Sequence, residues 1–345
     1  MFKQAFQQFD CTVIGDIFID LIFYVSNNHP RFSYGGTSYC NNAKIEFGGS
    51  GNVAVGLSSL GGKTAFVGKV GYDSLGKLYV KNLKDKNIVS KIFFDKDTST
   101  GMLITFVDNQ KERSFLAFRG ANDKLSTEEI DKASVLIKKS KCVYFSGYSL
   151  VDDPQQTAIL RGIEIAKKYD KKVVFDPGAY NLIQSKPKLI AKILSLSDVF
   201  SLNLDEAMAI TDSANINDAI NKLKKEPPLI ALKCGEKGCI LISKNEVVKV
   251  PGIKVKCIDP TGAGDAFTAA LIYGLTHGLQ LKATGQLANW YSAQVVKRKG
   301  ARSFPTKSKI DNFLEKLTKA KNHQPKTTIT APQMNYNSRL VVNSR

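Results

Sequence analysis

The sequence predicts an α/β protein with a mostly parallel central sheet, helices on both of its faces, and a small β-lid. Three observations predict it. Short apolar runs at 141–145, 172–175, 198–202 and 229–232 alternate with helical patterns such as 126–140 and 155–169, the order that crossover connections impose on a parallel sheet. Segments 17–47 and 88–118 are instead rich in β-formers, including Phe93-Phe94, Met102-Leu-Ile-Thr-Phe-Val107 and Ser114-Phe-Leu-Ala-Phe118, and read as a separate small sheet. Finally, glycine clusters at 48–51 and 262–264 each fall where a helical pattern begins.

Along the chain, an apolar strand leads into Val13-Ile-Gly-Asp-Ile-Phe-Ile-Asp20. Gly48 and Gly49 suit a tight turn whose backbone approaches a ligand, and Asn52 then opens a helix with Val53, Leu57 and Leu60 on one face, serving as its cap or as a ligand. Gly61-Gly62 stop that helix, and Thr64–Val70 reads as a strand. Gly62-Lys63-Thr64 is not the end of a Walker A loop, because that pattern needs a glycine where Leu57 stands and a strand where the helix runs. Leu229–Leu232 is a short buried strand. After it, Lys233-Cys-Gly-Glu-Lys-Gly238 reads as a hairpin turn returning through Cys239–Ile242, its glycines also able to let the backbone approach a ligand, with Lys233 or Lys237 to neutralise charge. Lys254–Ile258 alternates like a half-buried strand, and Ala266–Leu275 is helical.

Between those last two segments lies Asp259-Pro-Thr-Gly-Ala-Gly-Asp-Ala-Phe-Thr268. Gly262 and Gly264 let the chain bend sharply, so that amides of Gly262, Ala263, Gly264 and Asp265 point at an anion, assisted by the helix dipole. Asp265 is the one side chain there able to accept a proton. Phosphoryl transfer to an alcohol needs a base at the attacking hydroxyl and donors for the spreading charge, and this stretch offers both. The plainer reading is that Asp265 only complements the dipole.

Together, Asp259–Thr268 and Phe47-Gly-Gly-Ser-Gly-Asn-Val-Ala through Gly76 resemble the two signatures of the ribokinase-like, PfkB-type sugar and nucleoside kinases. The resemblance covers roughly residues 8–318 and implies a three-layer ribokinase-like fold and ATP-dependent transfer of the γ-phosphoryl group to a small sugar, with Mg²⁺ on the phosphates. It implies Asp265 as base, amides of 262–265 as anion hole, and a substrate held by Asp16, Asp20, Gly48, Gly49 and Asn52. Arg119 lies where related kinases grip substrate, though a solvated surface arginine is equally consistent. The nucleotide is expected at Asn203, Glu206, Lys233, Gly235, Gly238 and Asn289, with Glu206 meeting Mg²⁺ through water. Asp259 and Thr261 match a monovalent-cation position, which implies K⁺. A fructokinase, ribokinase or keto-sugar-acid kinase is expected, with a nucleoside kinase or a silent sugar sensor as alternatives. A homodimer through the lid is a further expectation.

Composition agrees. The chain has 345 residues, 43% hydrophobic and 23% charged, enough for one large core, with a kinase domain over 8–320 and a basic tail over 321–345. The formal charge of +18 lies on scattered lysines without an aromatic-interleaved basic motif, so no specific nucleic-acid binding is expected. Six cysteines form no Cys-x-x-Cys pair, arguing against zinc and disulfides and for a reducing compartment. Met1–Asp10 holds no signal-peptide core, and no apolar run reaches the roughly 18 residues of a membrane span. A cytoplasmic protein without membrane contact is expected.

Overall fold

The computed structural model describes residues 8–25, 34–110, 112–178, 180–226 and 228–321. Thirteen strands form two sheets: Phe9–Ile14 (β1), Ile17–Tyr24 (β2), Asn42–Gly49 (β3), Thr64–Gly71 (β4), Val89–Asp95 (β5), Met102–Val107 (β6), Arg113–Phe118 (β7), Ser140–Ser146 (β8), Lys172–Asp176 (β9), Val199–Asn203 (β10), Leu229–Lys233 (β11), Gly238–Ile242 (β12) and Val247–Pro251 (β13). The large sheet runs β13-β12-β11-β10-β9-β8-β1-β4-β5, parallel from β11 to β5 and antiparallel over β11-β12-β13. The lid is a four-stranded sheet, β3-β2-β6-β7.

Among the described residues, eleven α-helices cover the large sheet: Gly51–Ser59 (α1), Ser74–Asp85 (α2), Thr127–Lys138 (α3), Gln155–Lys168 (α4), Tyr180–Ser185 (α5), Pro187–Leu196 (α6), Leu204–Thr211 (α7), Ile216–Leu223 (α8), Ala263–Thr276 (α9), Leu281–Val295 (α10) and Lys307–Lys321 (α11). Strand alternation divides them into two layers. Cys11 and Val13 of β1 face the cluster built with α1, α2, α9 and α10, whereas Ile14 faces the one built with α3, α4, α6 and α7. The sequence expectation of parallel strands with helices on both faces therefore holds.

Helix α9 is the axis of its layer. Ala266, Phe267, Ala269, Ala270, Leu271 and Ile272 are all buried. Small residues permit this depth, for a Cβ on Gly56 of α1 would stand 3.0 Å from the Cβ of Ala269. Tyr291 of α10 closes the packing by donating to Gly56 O at 2.9 Å.

Two boundaries differ from expectation. β5, including Phe93 and Phe94, joins the edge of the large sheet beside β4 and is not part of the lid. Lys254–Ile258 forms no strand: β12 already has β13 as its outer neighbour, and Ile253 and Ile258 are exposed. That segment instead crosses to the end of α10, where Ile258 N–H donates to Val296 O at 2.7 Å. Of the basic-tail expectation, 322–345 lies outside the described residues.

Candidate active site

The carboxyl ends of the parallel strands open one edge of the sheet as a crevice, the usual binding place in open α/β folds. Asp16 follows β1, Asp176 ends β9, Asn203 ends β10 and Lys233 ends β11. Helix α9 begins beside them.

Its first turn is built as the glycines suggested. Gly262 sits at φ +78° before the helix, and a Cβ there would lie 2.4 Å from the carbonyl oxygen of Ala301, so only glycine fits. The amides differ in one respect. Ala263 N–H donates to Pro260 O at 3.2 Å, whereas Gly264 and Asp265 have no backbone acceptor among the described residues. Of the four amides expected to face an anion, Gly264 and Asp265 are thus left available, and the Lys233 ammonium lies beside them, where a Cβ on Gly264 would meet it at 3.9 Å.

Asp265 is held from the opposite side. Asn52 Nδ2 donates to its Oδ2 at 3.0 Å, and Asn52 Oδ1 accepts from Arg302 Nε at 2.8 Å. Asn52 caps nothing, since Ser50 occupies the cap position and makes no side-chain cap bond. Arg302 also reaches Asn82 Oδ1 at 2.7 Å and Tyr79 Oη at 3.0 Å, and Tyr79 donates to Gly48 O at 2.7 Å. One buried chain of hydrogen bonds thus links the first glycine turn to the acid of the second. Burial pushes the Asp265 carboxyl up to about 6, against the Asn52 hydrogen bond that lowers it.

The lid supplies Asp20 from β2. Burial, with Glu46 and Asp265 nearby, raises its carboxyl to about 7 although Arg302 opposes the rise, and its buried Oδ1 has no hydrogen-bond partner. Gly48 makes room for it: a Cβ there would stand 2.5 Å from that oxygen. Gly49, at φ +72°, brings the chain so close to β1 that a Cβ would meet Asp16 O at 2.3 Å. These two glycines thus admit protein groups rather than a ligand's close approach alone.

Asp16 and Arg119 pair with each other instead of standing open. Arg119 contacts Asp16 at 3.3 and 3.4 Å, Asp123 at 2.5 Å and Gln155 at 2.6 Å, and Asp16 further accepts from Gln155 at 2.6 Å and Ser149 at 3.1 Å. Arg119 is accordingly neither a solvated surface arginine nor a free cation.

At the other end, Lys233 pairs with Asp176 at 2.6 Å, and Thr268 donates to the same carboxylate oxygen at 3.0 Å. Desolvation would lower the Lys233 ammonium, but Asp176 and Glu206 outweigh it and raise it. Asn203 and Glu206 form a reciprocal cap on α7, 2.8 Å in each direction, and burial followed by Asp176 pushes the Glu206 carboxyl up. Gly235 at φ +59° has open space where a side chain would stand, while Gly238 is hemmed in by Val250 O at 2.1 Å. The 233–238 segment is a hairpin between β11 and β12, and only Gly235 presents its backbone outward. Asn289 Nδ2 spans the carbonyl oxygens of Val250 and Pro251 at 3.1 Å each. Trp290 beside it stacks on Phe313 of α11, ring centres 4.3 Å apart.

Asp259 and Thr261 meet Arg113 of β7, whose guanidinium lies 2.7 Å from Asp259 Oδ1 and donates to Thr261 Oγ1. Sequence reasoning missed Arg113, Tyr79, Arg302 and the Lys233–Asp176 pair. Their partners are far off in the chain, and no spacing signals them.

A half-buried acid at a glycine-initiated helix, near a second carboxylate carried by a lid, is the plan of a phosphotransferase acting on an alcohol. The pattern of the pfkB family carbohydrate kinases matches residues 8–308, and the chain belongs to that family. It is 31% identical over 289 residues to a probable chloroplastic fructokinase-6 of Arabidopsis thaliana, covering 79% of this chain and 75% of that protein. It is 30% identical over 312 residues to the ribokinase of Mus musculus, covering 86% and 92%. Among solved structures, a sugar kinase of Pyrococcus horikoshii in complex with ATP superimposes with a TM-score of 0.73 at 27% identity, covering 87% and 96%. The fold is ribokinase-like, and the protein is an ATP-dependent carbohydrate kinase.

Proposed function

We propose that the chain phosphorylates a hydroxyl of a small, uncharged sugar of the fructose or ribose kind, with Asp265 as general base. The observation that carries this reading is the pairing of Asp265, held by Asn52 at 3.0 Å at the start of α9, with the unpartnered Oδ1 of Asp20 across the crevice. A buried carboxylate oxygen without a donor suits a sugar hydroxyl, which donates to it. A sugar acid is disfavoured, because Arg119 is already neutralised by Asp16 and Asp123. Fructokinase and ribokinase relatives support the same substrate class.

In this mechanism Asp265 removes the hydroxyl proton as the alcohol attacks, while the amides at 264–265 and the Lys233 ammonium receive the charge that spreads on the transferring group. Closing the lid excludes water that would otherwise compete as acceptor. Among the described residues no cluster of three or more acidic, histidine or cysteine side chains forms a metal cage. Mg²⁺ would therefore arrive on the nucleotide phosphates, neutralising them, with Glu206 as an outer partner through water. The nucleotide lies along Asn203, Lys233, Gly235 and Asn289 in this reading.

Two finer assignments accompany it. Ile45, Phe115, Leu116 and Phe118 are exposed on the lid, and β7 is its edge strand, which supports a homodimer formed there. Cys11 and Cys142 are free thiols at paired positions of β1 and β8, which supports a reducing, cytoplasmic setting.

The test is ATP-dependent turnover against a panel of pentoses, hexoses, sugar acids and nucleosides, with Asp265→Asn beside the wild type. The variant should lose roughly 10²–10⁴-fold in kcat while still binding ATP. Retained turnover would remove Asp265 as the base, and a nucleoside as the best substrate would remove the sugar assignment.

A further inference from the structure

We infer that Arg113 is a positioning residue of the transfer site: its guanidinium is a resident cation of the loop that leads into the anion hole, and it makes that loop's geometry depend on lid closure. Where turnover is its readout, the inference rests on the kinase reading above.

Residues Tyr24, Val107 and Arg113 lie in register across β2, β6 and β7, so Arg113 stands at the tip of the lid. From there its side chain reaches the large domain. One nitrogen is 2.7 Å from Asp259 Oδ1 and another donates to Thr261 Oγ1. The same carboxylate accepts Thr261 N–H at 2.9 Å on Oδ1 and Gly300 N–H at 3.0 Å on Oδ2. Asp259 is thus the hub of the loop that ends at Gly262, the residue whose φ of +78° aims the first turn of α9.

The lid also rests on the neighbouring turn. Lys299 Nζ lies 5.4 Å from the ring centre of Tyr24, and a Cβ on Gly300 would stand 3.0 Å from Glu46 of β3. Lid tip and loop therefore meet at adjacent points. Opening the lid withdraws the guanidinium and leaves a bare carboxylate in the loop that leads into the anion hole, where it repels the transferring phosphoryl group. Closing it cancels that charge and fixes Thr261. Both groups that would otherwise coordinate a monovalent cation are then occupied by the protein itself, so turnover needs no added K⁺.

The experiment compares wild type, Arg113→Lys and Arg113→Ala with the best substrate of the panel, in buffers whose only monovalent cation is K⁺, Na⁺ or tetramethylammonium. Wild-type rates should agree within about twofold across the three. Arg113→Ala should lose roughly ten- to a hundredfold in kcat with a smaller change in KM for ATP. Millimolar guanidinium chloride should restore it severalfold without accelerating wild type, and Arg113→Lys should fall between. A K⁺-dependent wild type, an unimpaired Arg113→Ala, or a loss that guanidinium does not relieve overturns the inference. Hydrogen exchange of the substrate-free protein supplies a readout without turnover: amides of 102–110, 112–118 and 259–264 should exchange faster together in Arg113→Ala. Unchanged exchange overturns the coupling. A wild type silent against every substrate sinks the kinase reading instead, and exchange then decides the coupling by itself.

Discussion

Replacing Asn52 by Ala separates two functions that meet on one side chain. Asn52 is buried and makes no helix-cap bond, but its Oδ1 accepts from Arg302 Nε at 2.8 Å, so its loss should cost the fold a small cavity and that bond, on the order of 1–3 kcal/mol. Its amide nitrogen, 3.0 Å from Asp265 Oδ2, favours the ionised acid, whose carboxyl burial has pushed up to about 6. A hydrogen bond to a charged group contributes about 1.5–3 kcal/mol, and re-entering water recovers part of it. A net loss of about 1 kcal/mol corresponds to somewhat under one pH unit, at 1.36 kcal/mol per unit. The base works only when ionised, so kcat/KM falls as pH drops through the carboxyl's titration. In Asn52→Ala that acid limb should move toward neutrality by about half to one unit. A profile of kcat/KM from about pH 5 to 9 reads it directly. The pH-independent plateau above the limb reports any contact between Asn52 and the sugar, and the limb reports its effect on Asp265. An acid limb that stays put or moves downward refutes the assignment of Asn52 as the group that tunes the base.

Other variants test neighbouring parts of the site. Asp265→Asn should stabilise the protein while silencing it: its folded carboxyl titrates near 6 against 3.8 unfolded, so the burden is absent below about pH 4 and complete above about pH 6. Thermal melts should show a gain on the order of 1–2 kcal/mol at pH 7.5, after discounting for partial exposure, and none near pH 4; a loss at pH 7.5 would contradict this. Gly262→Ala and Gly264→Ala should diverge, because a Cβ at 262 strikes backbone at φ +78° whereas one at 264 meets only Lys233 Nζ at 3.9 Å. The first should lower stability by about 1–3 kcal/mol, and the second should keep the melting point but lose turnover by crowding the anion hole. Equal melting points would refute the conformational argument. Lys233→Met strips Asp176 of its partner at 2.6 Å and should destabilise by about 3–5 kcal/mol. Adding Asp176→Asn should recover stability but not activity, as melts and rates on the double variant would show.

What was legible in the sequence was whatever depends on a residue and its immediate chain neighbours. Gly262 announces its backbone conformation by being glycine between a proline turn and a helix, and the alternation of apolar runs with helical patterns announces β8 to β11. The Lys254–Ile258 error shows the limit, since alternating polarity does not say whether a segment pairs: this one leaves Ile253 and Ile258 exposed and crosses to the end of α10. β5 failed for a related reason: its pattern suits either sheet, and pairing with β4 decides the matter. The mutual cap of Asn203 and Glu206 on α7 follows a local rule that four residues of sequence already contain. Arg302 was out of reach, because its bond to Asn52 joins positions 250 residues apart. Arg113 was likewise hidden, on a strand that looked like ordinary lid.

The two readings of Asp265 that the sequence left open differ in sign. An acid that merely complements a helix dipole sits at a wetted terminus, gains about 0.3–1 kcal/mol as the anion, and is held below the ordinary carboxylate range. Here burial comes first among the influences on Asp265, Asp176 adds to it, and the net displacement is upward, to about 6. The dipole, the Asn52 amide, Lys233 and Arg302 together fail to offset it. A fold seeking only stability would gain by placing an amide there. In the proposed mechanism that displacement is useful, because an acid titrating near 6 is ionised at neutral pH yet basic enough to take a proton as the alcohol attacks. Asp20 shows the same cost across the crevice, with one buried oxygen that no protein donor satisfies. Two destabilising carboxylates near one another, one on the lid sheet and one in the first turn of α9, make sense where a ligand bearing hydroxyls comes between them.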